Sequence, residues 1–328
     1  MTSYRLTPTE PSMAAEGFAL FRDAYLRARQ ANPLLPPPAP ELEARFRGRV
    51  ERAFAHGGMT VWRGGSMRGF MVAGPPFEFR GSVAALVPEF AHAVAEGDEG
   101  EVVGALYAAV AEKVVREGAQ LHLIGHFAVD TLTTASLFDL GFGAVVREQL
   151  RGLDDVAEAA AQGEHDAWQA RVERVPQAGP WDAYAPLAAQ HAATYRESPL
   201  FVRKDASLQA AVEELEAHRA VGDPLFVVRD GGEPLGYLIA GPCAGATEGR
   251  LLEGTATAQV RSAFVLPAAR RNGIGSALLQ HAVAWARDAG FERLFVEHET
   301  ANPSGAAFWQ RHFTPYLTFS MRYVERTL

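Results

Sequence analysis

The feature that most constrains this 328-residue chain is the segment Arg270-Arg271-Asn272-Gly273-Ile274-Gly275. It follows an apolar run that ends at Pro267 and precedes a stretch with helical periodicity. Two glycines let a ligand approach the backbone, and the first N–H groups of a helix have no partners within it. The arginines add charge and bidentate donors. The segment therefore predicts an anion site, suited to a pyrophosphate, at the start of a helix.

Two other phosphate-binding motifs compete with this interpretation. A nucleoside-triphosphatase loop needs Lys and then Ser or Thr after its last glycine, whereas Ser276-Ala277 follow here. A dinucleotide fingerprint needs a small residue where Leu278 stands, and an acidic residue about 20 residues later, for which Asp288 lies too near. The remaining alternative is a glycine-rich loop with solvated arginines.

The residues that follow predict a helix, a strand and a second helix. Apolar residues from Ile274 to Trp285 recur on one helical face, and Gly290 is suited to end that helix. The strand is Arg293 to Glu299. Pro303 suits the first position of a short helix within Asn302-Pro303-Ser304-Gly305-Ala306-Ala307-Phe308-Trp309.

Together these motifs resemble the acetyl-CoA core of the GNAT superfamily of N-acetyltransferases. The matching pattern is strand, Arg-x-x-Gly-x-Gly, helix, strand and Asn-x-x-x-Ala-x-Phe-aromatic. The resemblance implies acetyl-CoA as co-substrate, its pyrophosphate on main-chain amides and its pantetheine arm beside the strand, near Asn302. The implied cofactor-binding residues are Phe264, Val265, Arg270, Arg271, Asn272, Gly273, Ile274, Gly275, Ser276, Asn302, Phe308 and Trp309.

Two positions depart from the family pattern. Many members carry Tyr where Trp309 stands, and the phenol of that Tyr can protonate the departing thiolate, whereas indole has no such group. His312-Phe313 replaces the commoner Gly-Phe of the next turn. The usual general acid is therefore absent, and Tyr316 is a displaced candidate.

Amide formation needs an uncharged amine, so the site needs a base and a main-chain donor for the oxyanion. Glu297, His298 and Glu299 end the strand beside the expected thioester, and alternation places the two glutamates on one face. We predict Glu299 as the base or the amine-binding carboxylate, with His298 as the second candidate. The alternative is a solvated strand end.

An internal repeat organises the whole chain. Val61 to Pro75 matches Val227 to Pro242 with one inserted residue, and both segments predict β-hairpins with glycine-rich turns. The sequence therefore predicts two tandem α/β units, each a mixed, largely antiparallel, splayed sheet flanked by helices. The expected boundaries are 1–150 for the first unit, 151–166 for a linker and 167–328 for the second.

The two copies differ at the anion site. Counting back from a Gly118/Gly290 match puts Glu101 and Val103 at the positions of the two loop glycines, and acidic charge there would repel a pyrophosphate. We therefore expect a degenerate first copy and an acetyl-CoA-binding second copy. By the resemblance, residues 184–202 line the acceptor pocket of the second copy.

Composition limits the remaining choices. A net charge of −8 gives no basic footprint for nucleic acid or anionic membrane. The single cysteine, Cys243, suits a reducing cytosol and is expected to be a buried small side chain. No apolar run is long enough to span a membrane and no secretory leader is present, so we expect a cytoplasmic protein. His122 and His126 share a strand face but lack a third ligand, so no metal is predicted.

The predicted function is transfer of an acetyl group from acetyl-CoA to a primary amine of a small molecule or peptide. Two alternatives stay open: a non-catalytic acyl-CoA sensor or scaffold, and a thiol-biosynthetic acetyltransferase resembling mycothiol synthase. The expected partner is the amine acceptor, without nucleic acid or membrane. The two copies are expected to pair within the chain, in a monomer or homodimer.

Overall fold

The computed structural model describes residues 4–153 and 168–325. The chain divides into two compact units, Met1–Glu148 with Pro315–Leu328, and Gln149–Thr314. The expected linker at 151–166 lies almost entirely outside the described residues, and the boundaries at 150 and 167 stay predictions. Both units are mixed α/β with open, mostly antiparallel sheets flanked by helices, which confirms the predicted fold class.

The first unit contains four helices and nine strands in the part of the chain that is described. The helices are α1 (Ala14–Ala31), α2 (Pro40–His56), α3 (Glu99–Arg116) and α4 (Thr131–Asp139). The strands are β1 (Arg5–Pro8), β2 (Met59–Arg63), β3 (Ser66–Met71), β4 (Phe77–Phe79), β5 (Ser82–Val87), β6 (His92–Val94), β7 (Leu121–Phe127), β8 (Gly143–Gly152), whose last residues belong to the second unit, and β14 (Thr314–Tyr323).

A break between β5 and β6 divides the strands of the first unit. β6 pairs antiparallel with β3, whereas β5 pairs in parallel with β7, from Ala84 opposite Leu121 to Val87 opposite Ile124. The last strand of the chain, β14, pairs antiparallel with β7. The second unit is thus inserted in the sequence between β8 and β14 of the first.

Apart from short 3-10 turns and the helical residues 168 and 169, the described part of the second unit contains four α-helices and five strands between β8 and β14. The helices are α5 (Ala185–Thr194), α6 (Leu208–Ala220), α7 (Ile274–Asp288) and α8 (Pro303–His312). The strands are β9 (Val172–Val175), β10 (Leu225–Asp230), β11 (Glu233–Pro242), β12 (Thr257–Val265) and β13 (Arg293–Glu299). They lie side by side in the order β13-β12-β11-β10-β9.

Strand alternation divides the second unit into two cores. Phe226 and Val228 of β10 pack on one face with α7, together with Leu278 and Ala282 of that helix. Leu225 and Val227 point to the other face, where helices α5 and α6 pack, together with Tyr237 of β11. Helices on both faces fix β11 and β12 in the middle of the unit.

The elements around the glycine-rich segment agree with the sequence prediction. α7 begins at Ile274, Gly290 follows it with φ +83°, and β13 has the predicted bounds. The sequence of the segment Trp168 to Val175 also suggests a strand, but residues 168 and 169 are helical and β9 begins only at Val172.

The two repeat hairpins have the same length. Arg63 pairs with Ser66 and Asp230 pairs with Glu233, so each turn contains two glycines. The inserted residue predicted in the second hairpin is therefore wrong. The common register makes Gly74, after the first hairpin, equivalent to Gly241 of the second.

In the described ranges, no helix has the length and apolar character needed to cross a membrane. Cys243 is 7% exposed, as expected for a small apolar side chain. His122 contacts the Tyr107 hydroxyl and His126 the Ser320 hydroxyl. Within the described residues, no three His, Cys, Asp or Glu side chains come together as metal ligands would.

Candidate active site

A gap opens between the two parallel strands of the second unit. β12 and β13 pair over only three positions, from Thr257 opposite Arg293 to Gln259 opposite Phe295. β12 continues to Val265 and β13 to Glu299 without further pairing to each other. The facing main-chain edges beyond Gln259 are therefore open to an extended ligand, which could pair with them as a strand does.

The N-terminus of α7 begins without a side-chain cap. Gly273 caps the helix in a left-handed conformation with φ +84°, and Arg271 before it also has a positive φ, +66°. The first intrahelical bond runs from the Ala277 N–H to the Gly273 carbonyl at 3.0 Å. The N–H groups of residues 274–276 precede that bond, and glycine has no side chain to cap them. They form a cluster of donors at the positive end of the helix.

The two arginines of this loop lie in different surroundings. The Nε of Arg270 donates to the Val265 carbonyl at 3.0 Å, and its guanidinium lies 5.6 Å from the centre of the Phe264 ring. Arg270 is therefore fixed against the end of β12. Arg271 is exposed, so its charge is available to a phosphate at the helix N-terminus.

Asn302 caps α8 and keeps donors for a ligand. Its Oδ1 accepts bonds from the Gly305 N–H at 3.0 Å and from the Ser304 hydroxyl at 3.2 Å. The side-chain amide NH₂ has no hydrogen-bond partner among the described residues. The residue expected to bind the pantetheine arm thus also stabilises the helix start.

The two aromatic residues of α8 have different surroundings. The ring of Phe308 lies beside the start of α7, where a Cβ added to Gly275 would come within 3.2 Å of it. Trp309 is 8% exposed and packs in the core with Phe313. Phe308 is therefore close to the anion-binding loop, and Trp309 is mainly a core residue. Sequence analysis did not separate these roles.

His312 is a site residue that sequence analysis missed. Its Nε2 lies 3.5 Å from the Ser276 hydroxyl in the first turn of α7, and its ring lies 4.8 Å from that of Phe308. The sequence signal was the replacement of a common glycine by histidine in the turn after α8. This imidazole stands beside the N–H cluster.

The two catalytic candidates at the end of β13 differ in their surroundings. His298 is buried, its Nε2 accepts from the Gln149 amide at 3.0 Å, and its Nδ1 donates to the Glu299 carbonyl at 3.0 Å. Both ring nitrogens are therefore engaged. The Glu299 side chain is only half-buried. This geometry favours Glu299 over His298 as the group that meets an amine.

A polar cluster lies where α5 packs on β11 and β12. Nδ1 of His191 in α5 lies 2.9 Å from the Tyr237 hydroxyl and 3.3 Å from the Ser262 hydroxyl, and these two hydroxyls are 2.9 Å apart. The His191 ring stacks on Phe264, with centroids 5.2 Å apart. The cluster thus connects residues 184–202, the expected acceptor region, with the strand expected to bind pantetheine.

Burial determines the charge of this cluster. It lowers the pKa of His191 to about 3, and the positive charges of Lys204 and Arg270 act in the same direction. Burial also raises the pKa of Tyr237 well above its usual range. Imidazole and phenol are therefore both neutral near pH 7. The cluster can orient a substrate by hydrogen bonds, but its imidazole is a weak base.

The first unit has a different structure where an anion site would lie. α3 is 18 residues long and α7 is 15, so α3 begins a turn earlier relative to the matched glycines. Glu99 and Glu101 lie in its first turn. Asp98, which caps it, receives bonds from the guanidinium groups of Arg63 and Arg68. A carboxylate of the chain itself therefore pairs with the cations at this helix start.

A family comparison identifies the second unit. Residues 189–313 match the acetyltransferase (GNAT) family. Within the second unit, these residues therefore form a GNAT-family segment. The match includes the strand gap, the start of α7 and α8, so the matched residues are those that build the site.

Solved structures show a similar fold. A GCN5-related N-acetyltransferase from Sphaerobacter thermophilus superposes with a TM-score of 0.55 at 15% identity, covering 98% of this chain and 95% of that one. A GCN5-related glucosamine N-acetyltransferase region of a fungal multi-domain GH3 β-N-acetylglucosaminidase gives 0.53 at 14% identity. That match covers 98% of this chain and 38% of the fungal chain.

A tandem GNAT protein from the clavulanic acid biosynthesis pathway has 18% identity, with 98% of each chain covered and a TM-score of 0.46. No curated protein sequence gives a significant match to this chain. At 14–15% identity, the likeness to the Sphaerobacter thermophilus and fungal structures shows the fold alone.

Proposed function

We propose that the second unit transfers an acetyl group from acetyl-CoA to a primary amine. The observation that carries this proposal is the strand gap between β12 and β13, which lies in the same GNAT segment as the uncapped start of α7. One feature accepts an extended amide-containing arm, and the other accepts its pyrophosphate. An acyltransferase of this superfamily needs both.

The residues fit such a ligand. N–H groups of residues 274–276 would hold the pyrophosphate, and the exposed Arg271 would pair with a phosphate oxygen. The Asn302 amide would donate to a pantetheine carbonyl. A Cβ at position 275 would come within 3.2 Å of the Phe308 ring, so a larger residue there would need that ring to shift. When bound, acetyl-CoA supplies a thioester carbonyl for attack and a thiolate that leaves readily.

The chain supplies the proton transfer and the oxyanion contact. Glu299 would take the proton of the attacking amine, directly or through a water molecule. The register shift between β11 and β12 leaves Arg261 as an extra residue, and such a bulge turns a main-chain N–H out of the ladder. That N–H is our candidate donor to the oxyanion. Trp309 cannot protonate the thiolate, so the reaction relies on thiolate stability.

Coenzyme A release in the presence of a panel of amines tests the proposal. The panel should include small primary amines, peptides with free N-termini and an amino-sugar inositol conjugate, the acceptor class of the mycothiol-synthase-like alternative. Thiol release that depends on one amine class supports an acetyltransferase. Tight acetyl-CoA binding without turnover of any amine would instead indicate a sensor.

A matched pair of variants assigns the activity to the loop. Gly273→Asp adds a negative charge where the pyrophosphate would bind. Gly273 has a φ of +84°, so the substitution also strains the backbone. Gly231→Asp places the same side chain at another positive-φ glycine, φ +56°, with open space around it in the β10–β11 turn. We expect only the first to abolish acetyl-CoA binding. Equal loss in both would point to misfolding.

A further inference from the structure

A cavity of about 280 Å³ lies in the first unit, beside the C-terminal half of α2. Its apolar wall includes Val72 and Gly74 after β3 and Phe90 between β5 and β6. The polar part of its lining comes from α2, which contributes the basic side chains Arg49, Arg52 and His56 at helical spacing on one face. No acidic side chain lines the cavity.

Two of the three basic side chains, Arg49 and His56, have contacts that restrict them. The Arg49 guanidinium lies 5.1 Å from the centre of the Phe90 ring. His56 Nδ1 donates to the Arg52 carbonyl at 2.7 Å, which directs Nε2 away from the helix backbone. The Arg52 guanidinium has no acidic partner within the described residues. Arg52 therefore brings a positive charge to the edge of an apolar space.

The equivalent position in the second unit contains a carboxylate. A Cβ added to Gly241 would collide with the Asp223 carboxylate, which also bonds to His218 Nδ1 at 2.9 Å and lies 3.7 Å from Arg261 Nε. A Cβ added to the equivalent Gly74 would meet only the Leu86 carbonyl oxygen, at 3.6 Å. One copy thus fills this position with its own acid beside basic groups. The other copy has the basic groups and an empty space.

We propose that this cavity of the first unit binds a small organic acid. The apolar body of the ligand would occupy the space beside Val72 and Phe90, and its carboxylate would take the place that Asp223 has in the other copy, near Arg52 and His56. The cavity, at about 280 Å³, is slightly smaller than the usual range of small-molecule sites, about 300–1,000 Å³, so it suits a small ligand. This site is separate from the proposed acetyl-CoA site, and its occupancy does not depend on acetyl transfer.

Calorimetric titration of the full chain with hexanoate and benzoate tests the proposal, with benzamide as the uncharged analogue of benzoate. We expect at least one acid to bind in the range of about 1 mM or tighter, and benzamide to bind at least about 10-fold more weakly. Equal binding of benzoate and benzamide overturns the proposal. So does the absence of binding for both acids.

Variants locate the site. Arg52→Gln should weaken binding of the acid by about 10-fold or more, whereas Arg47→Gln removes an exposed charge of the same helix outside the cavity and should leave binding unchanged. Gly74→Leu should fill the cavity and abolish binding, and Gly74→Ala is its matched control. Acid binding should persist in Gly273→Asp, which excludes the loop of the second unit. Unchanged affinity in Arg52→Gln would overturn the assignment even if Gly74→Leu fails to fold.

Discussion

The imidazole of His92 bonds to the main chain of Gly125, with Nε2 2.7 Å from the carbonyl oxygen. Gly125 is the first residue of β7 beyond its pairing with β5, so this bond crosses the place where those strands separate. Burial lowers the pKa of His92, so the ring is neutral near pH 7 and donates one N–H. Ala263 is the equivalent residue of the second unit, because it pairs with Leu238 as His92 pairs with Met71. The methyl group of Ala263 is too short to bridge the gap between β12 and β13.

The chain should bind one acetyl-CoA molecule. In the first unit, His92 bonds across the place where β7 leaves its neighbouring strand, and Asp98 pairs with Arg63 and Arg68 at the start of α3. Neither the strand edge nor the helix start is therefore open to a ligand. Calorimetric titration should give one site per chain, and Gly273→Asp should remove it. Two equivalent sites, or one site that survives this variant, would contradict a degenerate first copy.

The two arginines of the loop should contribute differently. Arg271→Ala removes an exposed charge and should weaken binding of acetyl-CoA by about 1–3 kcal/mol without changing the unfolding free energy. Arg270→Ala should weaken binding by a similar amount and also lower stability, because this guanidinium bonds to Val265 and stacks on Phe264.

Titration with dephospho-CoA, which lacks the 3′-phosphate, shows which arginine contacts that phosphate. The alanine variant of that arginine should bind dephospho-CoA as tightly as the original chain does. Arg311→Ala, an exposed residue of α8, is the matched control. If the original chain and both loop variants bind acetyl-CoA with equal affinity, the two arginines are solvated charges that do not contact the ligand.

The helices and strands from β12 to α8 could be predicted because local sequence determines where each of them begins and ends. Glycines, a proline and helical periodicity define the ends of α7 and α8, and alternation defines β13. The residues of the anion loop are likewise contiguous. A contiguous site is readable from one sequence, because the backbone alone brings its residues together.

The polar cluster of the second unit could not be predicted in the same way. His191, Tyr237 and Ser262 come from three elements, and only the packing of α5 on the sheet brings them together. The position of His191 on the buried face of α5 was a weak signal. The engagement of His298 by Gln149, from a distant part of the sequence, was equally out of reach.

Glu299→Gln keeps the shape of the side chain and removes its basicity. If Glu299 takes the proton of the amine, kcat should fall by about 10²–10⁴-fold while acetyl-CoA affinity barely changes. If it only attracts an ammonium group, the amine KM should rise instead. Steady-state kinetics on an accepted amine, with binding measured separately, distinguishes these outcomes.

His298→Ala is the comparison for this experiment. Because both ring nitrogens are engaged within the unit, we expect it to lower stability more than it lowers kcat. A larger loss of kcat in His298→Ala than in Glu299→Gln would make the histidine the base. If neither variant changes turnover, the base lies elsewhere, and the residues of α5 are the next to test.

His191 should make the stability of the second unit depend on pH. Burial, with Lys204 and Arg270, lowers its pKa to about 3, below the value of about 6.5 for an exposed histidine. Between these values the unfolded chain binds more protons than the folded chain, so stability rises with pH and is lost as pH falls. The maximum slope for one group is about 1.4 kcal/mol per pH unit.

Urea denaturation followed at several pH values tests this contribution against His191→Gln, which keeps a hydrogen-bonding side chain but does not titrate. The original chain should lose stability more steeply than the variant as pH falls below about 6.5. His126 of the first unit has a pKa lowered to about 4 by burial, and its contribution is common to both proteins. Parallel pH profiles would show that His191 is not neutral and buried in solution, whereas a steeper profile for the original chain means that the folded protein holds an uncharged imidazole beside Phe264 near pH 7.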